Sequence, residues 1–177
     1  MVQSLHVEII GRVARAVTDM TLSKAIVGQG YLLEINVTVE NHGQSKAIFN
    51  VTIYANTTII QTREITLTRG TCTLVTFVWN TIGFAKGNYT ISAFVHPIPG
   101  EVDTADNSVT GWIIVTISGD VDGDFDVDLY DAVKLLVRYG VREDDPQYNA
   151  VYGIDEDGRI FLYDAIILLA HYGQKDP

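Results

Sequence analysis

Between Gly119 and Ala132 the chain reads GDVDGDFDVDLYDA, with aspartates at 120, 122, 124, 126, 128 and 131. Carboxylates this close repel one another: two unit charges 4 Å apart interact by about 1 kcal/mol in water and by several times that near a protein surface. Something positive has to sit among them. A hard cation such as calcium takes six to eight oxygens at about 2.3–2.6 Å, and alternate residues of a tightly wound loop can supply them. The rest of the charge pattern agrees. Net charge is −10, and residues 118–177 hold 14 acidic against 5 basic side chains, while the first 117 residues hold 8 against 7. The acidity is therefore local. Nucleic acid is excluded as an expected partner, because phosphate contacts need clustered Lys and Arg.

With Asp120 as position 1, the six aspartates fall at positions 1, 3, 5, 7, 9 and 12, those from which an EF-hand calcium loop draws its ligands. The expected roles follow that order. Asp120, Asp122 and Asp124 bind through side chains, Asp126 through its backbone carbonyl, and Asp128 directly or through a water. Asp131 closes the site from the first helical turn, and Val127 at position 8 pairs with its counterpart in a second loop. Phe125 stands at position 6, where glycine ordinarily supplies a left-handed turn that costs other residues about 1–2 kcal/mol. The second loop, GIDEDGRIFLYD, begins at Gly153. Its candidate ligands are Asp155, Asp157, the Arg159 carbonyl and Asp164. With fewer charges it either takes a second calcium or keeps its shape without metal.

Other chemistries find little support. Cys72 is the single cysteine, so neither an internal disulfide nor a Cys-rich zinc cluster is available. His6, His42, His96 and His171 are scattered, and no G-x-S-x-G or H-E-x-x-H motif occurs. Aspartates saturated by calcium are poor acids or bases. No enzyme and no small-molecule substrate are expected. The chain has no run of 18 apolar residues, and MVQSLHVEII lacks the pattern of a secretory signal. It reads as either a cytosolic protein or a piece of a larger one, without a membrane segment.

The elements that must hold these loops differ between the two halves of the chain. After each loop the period turns helical, as in AVKLLVRYG and YDAIILLAHYG, and both runs end in Tyr-Gly, which suits a left-handed glycine cap. Residues 126–140 laid over 159–173 match in LYDA, in both leucines of each LL pair and in the final YG, an internal duplication at an offset of 33. Residues 118–177 thus resemble a type I dockerin, in which two calcium loops are each followed by one helix; they depart from its pattern at Gly153 and Phe125. The resemblance implies docking to a cohesin-type partner. It places partner contacts at loop positions 10 and 11, here Leu129 and Tyr130 in one repeat and Leu162 and Tyr163 in the other. Independently, AIILLA at 165–170 is apolar all round. Either the two helices bury it against each other or another surface covers it.

From Thr18 to about Ile117, apolar and polar residues alternate. In YLLEINVTVEN, Leu33, Ile35, Val37 and Val39 share one face. Five further runs repeat the theme between turns, which predicts six or seven strands in an antiparallel sandwich. Val75, Phe77, Trp79, Tyr89, Ile91 and Ala93 are its expected core. The fold class is thus an all-β sandwich, residues 1–117, followed by a small helical calcium-binding domain, residues 118–177. Residues 1–13 are an extra edge strand or a linker. VGQG, VENHG, the F-x-W strand, the G-x-Y strand and the D-x-A-D-N hairpin make residues 14–117 resemble a CARDB-type adhesion-related domain. That resemblance implies an immunoglobulin-like, seven-stranded spacer or adhesive module of extracellular proteins, with no catalysis. Four Asn-x-Thr sequons, at Asn36, Asn50, Asn56 and Asn88, either carry glycan outside the cell or reflect the threonine content of strands. In an alternative reading the calcium domain packs on its own sandwich through Trp112 and Ile114 and rigidifies a surface protein without a cohesin.

Overall fold

Residues 15–101 and 104–176 are described by the computed structural model; the expectation for residues 1–13 lies outside them. Among these residues the chain forms strands β1 (Arg15–Leu22), β2 (Ile26–Gly28), β3 (Leu32–Asn41), β4 (Ala47–Ala55), β5 (Thr58–Leu67), β6 (Cys72–Asn80), β7 (Gly87–Val95) and β8 (Ser108–Thr116). Helices α1 (Leu129–Val137) and α2 (Leu162–His171) follow. A three-stranded sheet, β1-β3-β6, faces a five-stranded sheet, β2-β8-β7-β4-β5. Period-2 alternation places the core where expected. Leu33, Ile35, Val37, Val39, Val75, Phe77, Trp79, Ile91 and Ala93 are all buried, with Tyr89 partly buried at their edge. Trp79 meets Phe84 and Tyr89 edge-on at centroid separations of 4.9 and 5.3 Å, the arrangement that ring quadrupoles favour.

One pairing departs from the antiparallel expectation. After β1 the chain crosses to the other sheet and adds β2 parallel to β8, with Ile26 beside Ile114 and Gly28 beside Thr116. Alternation says which face a strand buries but not which edge it joins, and a strand as short as β2 carries almost no period. The crossover matters, because β2 and the end of β8 become the platform on which the aspartate loop rests.

A second apolar cluster holds the C-terminal region: Ile117, Val121, Val127, Leu135, Ile154, Ile160 and Leu168, with Tyr31 packed against both this cluster and the sandwich core. The duplication reappears in the backbone. Val127 donates to the Gln174 carbonyl, Gly173 to Val127 and Asp176 to Phe125. In the other repeat Ile160 donates to Val141, Gly140 to Ile160 and Glu143 to Gly158. Each bond maps onto its partner at the offset of 33. The expected pairing of Val127 with Ile160 is therefore corrected: in the backbone each loop pairs with the segment after the opposite repeat's helix. Gly140 and Gly173, at φ +95° and +81°, turn the chain so that their amides reach across to the other loop. Val127 and Ile160 are both side chains of the common cluster.

Candidate metal centre

The loop is organised from its two ends. At position 1, buried Asp120 accepts the amides of Asp122 and Gly123 on Oδ1, and the Phe125 amide together with the Thr116 hydroxyl on Oδ2. At position 12, Asp131 is 0% exposed and accepts the amides of Val121 and Asp128, each at 2.8 Å. Asp128 in turn caps α1 by accepting the Tyr130 amide, so Asp128 and Asp131 form a reciprocal capping box. The charge needed near the centre thus also fixes the loop and starts the helix.

Between these ends the carboxylates do not converge on one point, although the spacing predicts that they do. They gather as two triads, Asp120 with Asp122 and Asp124, and Asp126 with Asp128 and Asp131, the ligand atoms of each lying within 4.8 Å of one another. One lysine meets each triad, Lys134 Nζ at 2.7 Å from Asp122 Oδ2 and Lys175 Nζ at 2.8 Å from Asp126 Oδ2. The remaining oxygens, Asp122 Oδ1 and Asp126 Oδ1, are buried without a hydrogen-bond partner. A buried carboxylate oxygen without a donor carries a desolvation cost that a cation would remove. The donor set is all oxygen and the charge is high, which suits a hard cation. Asp120 and Asp131 act mainly as frame here, while Asp122 and Asp126 each keep an unpartnered oxygen.

The electrostatics carry the same strain. Burial, opposed by the Asp128 and Val121 amides and reinforced by the Asp122 and Asp120 charges, holds the Asp131 carboxyl above its ordinary range. Although the Asp126 amide bonded to it pulls it down, burial and the charges of Asp122, Asp126 and Asp120 together push Asp124 up. Its bond to Asp122 raises Lys134.

The two loops share a left-handed backbone at positions 4 and 6. In the first these are Gly123 at φ +80° and Phe125 at φ +69°; in the second, Glu156 at φ +63° and Gly158 at φ +75°. Phe125 does adopt the strained turn that position 6 requires. Phe125→Gly should therefore stabilise the protein by about 1 kcal/mol through relief of that strain, read as a higher urea midpoint. A lower midpoint would mean that the Phe125 ring contributes more than its backbone costs.

The second loop keeps the shape with a different filling. Asp164 accepts the amides of Asp155 and Phe161, Asp155 accepts that of Asp157, and Asp157 that of Arg159. Among the described residues no acidic triad forms there. A Cβ at Gly153 would lie 2.7 Å from the Tyr148 hydroxyl and 3.4 Å from the Arg159 carbonyl. The Tyr148 phenol thus occupies the place of the missing position-1 carboxylate. Burial, together with the charges of Glu143, Asp164, Asp157 and Asp155, raises its pKa. At position 9, Phe161 packs against Tyr139 and lies under the Arg142 guanidinium. Burial first, then the neighbouring Asp164 and Asp157 charges, raises Asp155. Tyr148 lies in a polar stretch without periodicity, so no sequence signal marks it.

Contacts with the sandwich complete the arrangement. Glu156 Oε1 accepts Lys24 Nζ at 2.8 Å and the Leu32 amide at 3.1 Å, and Lys86 pairs with Asp176 at 3.1 Å. Gly123 lies against Ile114 and Ile26. Of the two residues expected at such a contact, Ile114 is there, whereas Trp112 is 68% exposed. Leu129, Tyr130, Leu162 and Tyr163 are 59–73% exposed. Asn50, Asn56 and Asn88 are exposed, and half-buried Asn36 accepts the Thr76 hydroxyl.

The CARDB family model matches residues 16–109. Among solved structures, the CARDB domain of a Pyrococcus furiosus protein, crystallised in complex with di-metal ions, is 23% identical with a TM-score of 0.51, covering 60% of this chain and 96% of that one. The solution structure of the same domain gives 24%, 0.50, 59% and 95%. A domain of a provisionally named cell surface protein of Methanosarcina acetivorans gives 22%, 0.48, 59% and 92%. Among curated proteins none matches the chain.

Proposed function

Because the chain belongs to the CARDB family, we propose that its sandwich is a non-catalytic spacer carrying a calcium-dependent docking module of the dockerin type. The module attaches a larger extracellular protein to a cohesin-type partner. The observation that carries this reading is the outer face of the helical pair. Leu129, Tyr130, Val133, Leu136 and Val137, with Leu162, Tyr163, Ile166 and Leu169, are all exposed. Large apolar side chains left exposed on both helices of so small a region are the surface a partner would cover. The helices bury Leu135 and Leu168 inward and leave these residues outward, so internal packing does not consume them.

Calcium in the first loop supplies the positive charge that lets its carboxylates stand together. One unpartnered oxygen stands in each triad, Asp122 Oδ1 and Asp126 Oδ1; calcium would draw the triads together through them and their neighbours Asp124 and Asp128, with Asp120 and Asp131 framing the loop and closing the site from its two ends. Arg159 and the aspartates of the second loop hold shape, with Tyr148 where a ligand would be. The extracellular placement rests on the family resemblance and on exposed Asn50, Asn56 and Asn88.

A second reading is favoured by Lys24–Glu156, Lys86–Asp176 and the packing of Ile114 on Gly123. In it the C-terminal region is a calcium-rigidified structural or adhesive module seated on its own sandwich, without a cohesin.

The test begins with thermal unfolding in calcium and in chelator, followed by circular dichroism. Free calcium at a hundred times its Kd should stabilise by about 2.7 kcal/mol, since the ion binds the folded state alone. Identical melting curves would defeat the calcium reading. Calorimetry of the calcium-loaded protein against type I and type II cohesins then separates the two functions. Binding that is lost on Tyr130→Ser with Tyr163→Ser supports docking, and no binding to either supports the structural module.

A further inference from the structure

The first loop is held by its own residues and also by the last strand of the sandwich. Thr116, the final residue of β8, is 0% exposed and donates its hydroxyl to Asp120 Oδ2. Asp120 is itself buried, and its other three donors, the amides of Asp122, Gly123 and Phe125, all come from the loop. Thr116 is thus the donor to that carboxylate whose position is set outside the loop. A neighbouring contact acts in the same direction. Gly123, at φ +80°, lies so close to the platform that a Cβ there would fall 2.9 Å from Ile114 Cδ1 and 3.2 Å from Ile26 Cδ1. Ile26 and Ile114 are partners in the parallel β2–β8 pairing. The loop is therefore clasped at position 1 by a hydroxyl and at position 4 by two isoleucines.

We propose that the sandwich is a working part of the cation loop: Thr116 is a positioning residue that sets the Asp120 carboxylate, and through it the affinity of the loop for a divalent cation. This rests on the calcium reading above. Groups that orient a ligand without touching the metal are worth about 10- to 100-fold in affinity when removed. Thr116 has the attributes of such a group: it is dry, it belongs to a sheet, and its hydroxyl adds to the loop amides a donor anchored in the sandwich.

The experiment is calcium calorimetry on the full chain, with melting curves in calcium and in chelator. Thr116→Val keeps the shape of the side chain and removes the hydroxyl; it should weaken calcium binding by about tenfold. Thr116→Ser keeps the hydroxyl and should bind as the wild type does. A merely structural Thr116 would lower melting equally with and without calcium and leave the Kd in place. Ile114→Ala, which removes part of the second clasp without touching Asp120, should also weaken binding, by less than Thr116→Val does, and keeps the inference testable should Thr116→Val fail to fold. Wild-type protein that binds no calcium overturns the calcium reading itself. Wild-type protein that binds, together with Thr116→Val and Ile114→Ala at the same Kd, overturns the role of the sandwich alone.

Discussion

Asp120→Ala is expected to unfold the C-terminal region while leaving the sandwich standing. The Asp120 side chain answers four donors at once: the amides of Asp122, Gly123 and Phe125 and the Thr116 hydroxyl. Hydrogen bonds to a charged group contribute about 1.5–3 kcal/mol each, and a buried donor left without a partner costs about 1–3 kcal/mol. Even with water reaching some of these donors, the sum is on the order of 4 kcal/mol or more, a large part of the 5–15 kcal/mol that holds a typical domain together. The helical circular dichroism signal should fall and any response to calcium should vanish with it. Asp155→Ala offers the contrast. Its carboxylate accepts one backbone amide, that of Asp157, so about 1–3 kcal/mol is expected. Equal urea midpoints for the two variants would contradict the frame role assigned to Asp120.

Gly119→Ala should be nearly as damaging, for a different reason. Gly119 has φ +100°, and a Cβ there would come within 2.9 Å of Leu168 Cα, the backbone of α2. A helix backbone cannot swing aside as the end of a side chain can. Positive φ costs about 1–2 kcal/mol for an ordinary residue, and forced overpacking adds about 1–3 kcal/mol. Gly140→Ala separates the two contributions, because Gly140 has φ +95° but nothing within 4 Å of its would-be Cβ. It should show the backbone cost alone. If both variants lose the same stability in chemical denaturation, the close approach of Gly119 to α2 contributes nothing.

Both predictions concern residues whose weight differs from what their type announces. Asp120 reads as a ligand and is first a hub for backbone donors, and Gly119, which the sequence does not single out, is a point of contact between loop and helix. The same division runs through the molecule. The alternation in YLLEINVTVEN determined which side chains of β3 are buried, since a strand sends successive residues to opposite faces regardless of its neighbours. The spacing of the aspartates determined a wound loop closed by Asp131, because the capping box is made by residues close in the chain. The LYDA repeat determined two equivalent helices, and their symmetric backbone bonds follow from it.

Tertiary structure decided the remainder. It left the aspartates in two triads, brought Lys175 to Asp126 across 49 residues, and tied Glu156 to Leu32 across 124. It placed the Tyr148 phenol where Gly153 lacks a carboxylate, and it joined β2 to β8 in parallel. Local periodicity encodes which face of an element is apolar and which neighbours along the chain can bond, because those geometries are fixed by the backbone itself. Which distant group arrives at a given oxygen depends on how whole elements pack, and the sequence does not spell out those distances.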